Sequence, residues 1–411
     1  MTAPGLKQVI DGAPLVVCIG PGGVGKTTLS AVLALHQAAT GARSLVLTID
    51  PARRLADALD VPGLTNDPVA IGSFGKMHPG GTLSALMLDP SATFDHLIAL
   101  LVADPERRRA LLENRTYQYV SRYLAGTLEY MAVERLHALT QGGAYDRIVL
   151  DTPPTSNAID FLEAPDRLAT FFSDQVISRF MPKQQTSWTS RLLSRASSSV
   201  LSLLNRVAGD TFVEDVVNFV STFGDLFGQF RERGIAVGKT LRDPRTAFVI
   251  VCAPDQNRLA EARSIDERLR QAGCRAHAFI VNRVDTPFLS APGDDALARA
   301  TVLLGGAAER PRVQAFIERL EQLRRSYDSS AATHAQAVES LRAYAAPRPV
   351  FTAPRVPPGE SPRAALLALY LGLFADTTDA TAATAPGAPP PLPPGDGARA
   401  SLFGRRRTDR P

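Results

Sequence analysis

The apolar positions of this chain fall into short, nearly continuous runs separated by longer amphipathic stretches. The runs are Leu15–Ile19, Ser44–Ile49, Leu83–Leu88, Arg147–Leu150, Ala247–Cys252, Ala276–Val281 and Val350–Ala353. Runs of that length and continuity predict strands buried on both faces, as in a parallel sheet. Most of them alternate with patterns of helical period, of which Thr27–Ala39 is the clearest, with Gly41 just past its end. The alternation predicts the α/β class with a doubly wound, mostly parallel sheet. The longest apolar run, Ala364–Ala375, is too short to span a bilayer and predicts a packed C-terminal helix.

Two stretches break the rhythm. Ser91–Thr140 reads as helix throughout, with Leu97, Leu100 and Leu101, then Leu124, Leu128, Met131 and Leu136. Leu168–Phe230 is greasier, with Phe212, Val216, Phe219, Phe223, Phe227 and Phe230 at helical spacing. Both predict a helical insertion subdomain on one side of the sheet. The expected organisation is a core from 1–90, 141–167 and 246–375, an insertion from 91–140 and 168–245, and a tail at 376–411. That tail is rich in Ala, Thr, Pro and Gly, includes Pro389-Pro390-Pro391, and is predicted to be disordered because it has too little apolar surface to offset ordering entropy.

Composition narrows the classes. The chain of 411 residues is 45% hydrophobic and 21% charged, an ordinary globular balance. The net charge of +4 resides partly in the tail arginines Arg405, Arg406, Arg407 and Arg410, so no nucleic-acid partner is expected. Cys18, Cys252 and Cys274 are too few and too scattered for a disulfide framework or a zinc site. No secretory leader pattern is visible, and a cytoplasmic, reducing location is expected. Only 5 of the basic residues are Lys, which gives weight to any Lys in a chemically suggestive place.

One such Lys exists. Gly20-Pro21-Gly22-Gly23-Val24-Gly25-Lys26-Thr27 fits G-x-x-x-x-G-K-[ST] between a predicted strand and a predicted helix. Glycines there let backbone N–H groups close around phosphate oxygens at a helix N-terminus. Lys26 would reach the β- and γ-phosphates, and the Thr27 hydroxyl would bind Mg²⁺. A shortened imitation, Gly234–Thr240, follows no strand and is expected to be a loop. Two further strands end in a carboxylate, at Asp50 and Asp151. Strand carboxyl ends are where ligands bind in such sheets. One carboxylate would hold the Mg²⁺ shell and the other would orient or deprotonate water. Each could instead cap the turn that follows it.

Taken together, Gly20–Thr28, Asp50-Pro51-Ala52, Leu55–Ala58, Leu88-Asp89-Pro90-Ser91, Tyr145-Asp146 through Asp151–Thr155, and Phe279–Arg283 resemble the ArsA-type arsenite-pump ATPases and the related tail-anchored-protein targeting ATPases. The nearest flavour is the bacterial single-P-loop, anion-transporting ATPase branch. The resemblance implies a P-loop NTPase of the deviant Walker A type. It implies that Asp50 activates water and that Asp151 lies on the Mg²⁺ side, partly through water. It implies that Gly20, Gly22, Gly23, Val24, Gly25, Lys26, Thr27 and Thr28 bind nucleotide and that Asn282 reads adenine. It also implies two protomers facing each other across nucleotide, with the helical insertion as the cargo or effector surface.

This chain departs from that pattern. The family's signature Lys after the first Gly is replaced by Pro21, leaving Arg53 or Arg54 as candidates for the missing charge, or as a solvated helix face. Ser156-Asn157 stand where the targeting ATPases have Gly-His, and no Cys-x-x-Cys follows Asn282. Arsenite needs soft thiolate ligands, and the three scattered cysteines read as small buried hydrophobes, so direct arsenite sensing is not expected. Arg179, Lys183, Arg191, Arg195 and Arg206, among Val200, Leu201, Leu203, Leu204 and Val207, could lie on a membrane, hold a client or pack as core.

The function expected is a Mg²⁺-dependent ATPase whose dimer opens and closes to hold or move a hydrophobic client or membrane partner. The dimer could be a homodimer or pair with a paralogue. The alternative is a nucleotide-binding regulatory subunit with little hydrolysis of its own, working with a paralogous partner.

Overall fold

The computed structural model describes residues 4–72, 80–102, 104–106, 108–109, 128–153, 160–166, 228–229, 231–287, 310–357 and 359–374. The expected helical segment 168–227 with its basic residues, the second-switch pair Ser156-Asn157 and the tail 376–411 lie outside the described residues.

Among the described residues, eight strands form one sheet: β1 (Leu15–Ile19), β2 (Arg43–Thr48), β3 (Val69–Ala70), β4 (Thr82–Met87), β5 (Arg147–Asp151), β6 (Thr246–Cys252), β7 (Ala276–Val284) and β8 (Val350–Pro354). Their spatial order is β3-β4-β2-β5-β1-β6-β7-β8. Every pairing is parallel except that of β3 with β4. The edge strand β3 is two residues long and follows Pro68, so no apolar run announced it. The structure is thus the expected α/β fold with a mostly parallel sheet.

Helices among the described residues include α1 (Leu6–Ile10), α2 (Lys26–Ala39), α3 (Arg54–Leu59), α4 (Pro90–Leu101), α5 (Leu128–Gln141), α6 (Gln256–Gln271), α7 (Arg310–Ala345) and α8 (Pro362–Phe374). Successive strand side chains point to opposite faces, and the core divides accordingly. Leu15, Val17, Ile19, Leu45, Leu47 and Leu150 pack with residues of α4, α5, α6 and the C-terminal half of α7. Val16, Cys18, Val46, Val149 and Val251 pack with α1, α2, α3 and α8. Both faces are therefore covered, which is why the strands read as continuous apolar runs.

The expected loop at 234–240 is a correction: those residues lie inside a helix spanning 231–241. Val237 and Leu241, four residues apart, are both buried in the core. That spacing outweighs the helix-weakening effect of Gly234 and Gly238. Cys18 and Cys252 are fully buried in strands, and burial pushes both thiols up to about 12, so they behave as hydrophobes. Among the described residues no helix is long and apolar enough to cross a membrane.

Candidate functional site

The sheet reverses its winding direction around β1. Chain order runs outward to β2 and β4 on one side, returns at β5, and continues to β6 on the other. Crevices at the carboxyl ends of strands at such a reversal are the natural ligand sites of open α/β sheets. Residues 20–25 leave β1 at that point and lead into α2 at Lys26. Gly23 and Gly25 have φ of +75° and +92°, the left-handed region that side chains resist. Gly20 approaches β6 so closely that a Cβ would stand 2.0 Å from the Val251 carbonyl oxygen. The sequence folds this way locally because only glycine permits both the turn and the approach.

Lys26 is buried, and its Nζ donates to the carbonyls of Gly20 and Pro21, both at 3.0 Å. Burial lowers its pKa; the carboxylates Asp151 and Asp50 oppose that, and the Arg54 cation adds to it. Both carboxylates therefore lie within electrostatic reach of the loop lysine. Asp151, at the end of β5, pairs in register with Cys18 of β1 and with Thr48 of β2. It is fully buried, and its partners among the described residues are hydroxyls. Thr48 donates at 2.9 Å, Ser30 at 3.4 Å, and Thr27 also hydrogen-bonds to it. Burial raises its pKa to about 6, against the Thr27 and Thr48 hydroxyls and Lys26.

Asp50 follows β2. Its Oδ1 accepts from the Ala52 N–H at 3.0 Å, and its Oδ2 accepts from Arg54 Nη1 at 2.5 Å. The Asp50 N–H in turn donates to Thr48 Oγ1 at 3.2 Å. Asn282, on β7, is buried, and its Nδ2 donates to the Val24 carbonyl at 2.8 Å. Gly25 faces the same amide, for a Cβ there would lie 2.3 Å from Asn282 Nδ2. The Asn282 Oδ1 has no partner among the described residues. Asp89, another residue of the family pattern, caps α4 by accepting from the Ala92 N–H at 3.0 Å.

The structure thus brings Gly20–Thr28, Asp50, Asp151 and Asn282 to one end of the sheet. Two contributors went unnoticed in the sequence, Thr48 and Ser30. Thr48 stands two residues before Asp50, and Ser30 one helical turn after Lys26 and Thr27, signals that position alone could have supplied. Arg53 points elsewhere, its guanidinium donating to the Pro62 carbonyl.

The donor set suits Mg²⁺. Asp151 is a buried carboxylate surrounded by hydroxyls, and no cation pairs with it among the described residues. Mg²⁺ prefers hard oxygen ligands, keeps several waters and needs only one or two protein carboxylates. No cluster of three or more His, Cys, Asp or Glu that could hold a metal ion is found among the described residues.

The family model for anion-transporting ATPases matches this chain over residues 14–287, from β1 past the end of β7. The chain belongs to the anion-transporting ATPase family. It is an ATPase, with ATP as substrate. Relatives agree: a protein named ATPase get3 from Pyrenophora tritici-repentis is 26% identical over 305 residues, 72% of this chain and 82% of its own length. ATPase GET3 from Phaeosphaeria nodorum is 26% identical over 326 residues, 78% of this chain and 89% of its own. ATPase GET3 from Malassezia globosa is 27% identical over 287 residues, covering 69% and 77%.

Proposed function

We propose that this ATPase is Mg²⁺-dependent and that hydrolysis opens and closes a dimer, which holds or moves a hydrophobic client or a membrane partner. The observation that carries the chemical part is the convergence of Lys26, Asp50 and Asp151 at the ends of three adjoining elements. Backbone N–H groups of Gly22–Thr28 cradle the phosphates at the N-terminus of α2. Lys26 exchanges its two carbonyl acceptors for β- and γ-phosphate oxygens. Thr27 and Asp151 would hold Mg²⁺, Asp151 partly through water, and the ion when bound would supply positive charge to offset that of the phosphate oxygens.

Asp50 orients the attacking water and takes its proton. The water oxygen bonds to the γ-phosphorus as the bond to the β–γ bridging oxygen breaks. ADP leaves with that electron pair, and the proton passes on to phosphate. Asn282 holds the loop through Nδ2 and offers Oδ1 as an acceptor, which complements the 6-amino donor of adenine. The dimer is a homodimer or a pair with a paralogue. Exposed Phe316, Leu320 and Leu323 on α7 support an apolar partner, since large apolar groups recur there at helical spacing. The insertion at 91–140 and 168–245, which does not include α7, is proposed as a further subdomain carrying cargo or effector surface. The proposed location is the cytoplasm, extending to the inner face of the membrane when a membrane protein is the partner.

The test is steady-state ATP hydrolysis with Mg²⁺ across protein concentration, beside Asp50→Asn and Lys26→Ala. Turnover per chain that rises with concentration and disappears in both variants is the expected result. Tight ATP binding without turnover would overturn it in favour of a regulatory subunit.

A further inference from the structure

Among the described residues, one cation acts on the loop lysine, Lys26. Residues 20–28 contain no other Lys or Arg. Lys26 itself is sunk beneath the loop, 6% exposed and held by two loop carbonyls. That cation is Arg54, which acts electrostatically on Lys26. Arg54 opens α3, where a cation opposes the helix dipole and gains nothing from the helix. Its guanidinium instead turns back over the strand end and binds Asp50. The side chain of Arg54 is 62% exposed against 13% for Asp50, so this ion pair is of the weak, solvent-screened kind that exchanges readily. A phosphate oxygen is a stronger partner for a guanidinium than a single screened carboxylate.

We propose that Arg54 is the cis-acting arginine of this ATPase, exchanging Asp50 for a γ-phosphate oxygen when ATP binds. The exchange does two things at once. It places positive charge where negative charge is spread during transfer. It also releases the Asp50 Oδ2, so that the carboxylate accepts the water proton while the phosphorus–bridging-oxygen bond breaks and ADP departs with the electron pair. ADP, lacking the γ-phosphate, leaves Arg54 on Asp50 and the carboxylate masked. The neighbour Arg53 has no such part, being engaged by the Pro62 carbonyl. This assignment rests on the ATPase site proposed above.

The experiment compares full-length wild type, Arg54→Ala, Arg54→Lys and Arg53→Ala. Calorimetry gives the affinity ratio of a slowly hydrolysed ATP analogue to ADP, both with Mg²⁺, and steady-state kinetics gives kcat and KM. Arg54→Ala is expected to lower kcat by about 10³-fold and to weaken the analogue about tenfold with ADP unchanged. Arg54→Lys should recover part of the analogue binding, and Arg53→Ala should match wild type in both. Unchanged kcat and affinity ratio in Arg54→Ala would overturn the proposal, as would a rise in kcat, which would make Arg54 only a mask. Mixing Asp50→Asn with Arg54→Ala chains tests the cis assignment. Activity above the sum of the two parents would mean that the arginine crosses between protomers, and would overturn it. If wild type shows no turnover, the function proposed above fails, whereas the analogue-to-ADP ratio still reads Arg54.

Discussion

The Thr48 hydroxyl joins the Asp151 carboxylate to the backbone of Asp50, donating to Asp151 Oδ2 at 2.9 Å while accepting the Asp50 N–H at 3.2 Å. A change at one strand end is thereby felt at the other: the hydroxyl fixes the Asp151 carboxylate and the first peptide of the Asp50 turn with one group. Partners of metal-holding carboxylates typically contribute one to two orders of magnitude in metal affinity. Thr48→Val should therefore weaken Mg²⁺ by about tenfold, read as the Mg²⁺ concentration for half-maximal hydrolysis. Thr48→Ser, which keeps the hydroxyl, should restore most of it.

Asp151 makes the site sensitive to pH. Its carboxyl is pushed from 3.8 to about 6, by burial above all. The folded chain holds this proton more tightly than the unfolded chain, so its contribution to stability is complete below 3.8 and is lost as pH climbs through about 6. A displacement of that size corresponds to about 3 kcal/mol. In chelator, the difference in Tm between Asp151→Asn and wild type should grow in favour of the variant from pH 5 to 7.5. Mg²⁺ must displace the same proton, so its affinity should fall by up to about tenfold per pH unit below 6, as followed by titration calorimetry.

Asn282 is held by the loop it supports, with Nδ2 on the Val24 carbonyl at 2.8 Å. Truncating it to Ala removes a buried hydrogen bond and leaves that carbonyl without its donor, a loss of about 1–2 kcal/mol. ATP and ADP affinity should both fall by about tenfold. The preference for ATP over GTP should also shrink, because the truncation removes the Oδ1 acceptor proposed to meet the amino group of adenine and to repel the carbonyl of guanine. Competition binding of the two nucleotides measures it; an unchanged preference would confine Asn282 to holding the loop.

The strands and the phosphate loop were legible because each carries a local signal: unbroken apolar runs for strands covered on both faces, and glycines where the backbone turns left-handed at Gly23 and Gly25. The seven strands expected from the apolar runs all exist, with ends displaced by a few residues at most. What escaped were features without a local signal. β3 is two residues whose identity as a strand depends on its neighbour β4. The helix around Gly234–Thr240 is decided by where Val237 and Leu241 pack, and glycine content argued the other way. Thr48 and Ser30 converge on Asp151 from separate elements, and only the parallel register of β2 with β5 and the packing of α2 bring them there. The choice between Arg53 and Arg54 was likewise open in the sequence. Adjacent residues at a helix start point in different directions, and one found Pro62 while the other found Asp50.

The ion pair between Arg233 and Glu134 supplies a test that involves none of the phosphate-loop residues. Glu134 lies on α5 with its side chain 8% exposed, and Arg233 reaches it from the helix at 231–241. Burial raises the Glu134 carboxyl to about 7, against the pull of Arg233. Removing the arginine strands a buried carboxylate, a change that typically destabilises by about 3–5 kcal/mol. Arg233→Ala should therefore lower Tm sharply at pH 8. The loss should be smaller at pH 6, where the orphaned carboxyl keeps its proton, because a raised folded pKa favours the folded state on the acid side. Glu134→Gln in the same background, being uncharged, should recover much of the stability at pH 8. Equal Tm losses for Arg233→Ala at both pH values would show that Arg233 stabilises the helix pair by packing its stem and not by compensating charge.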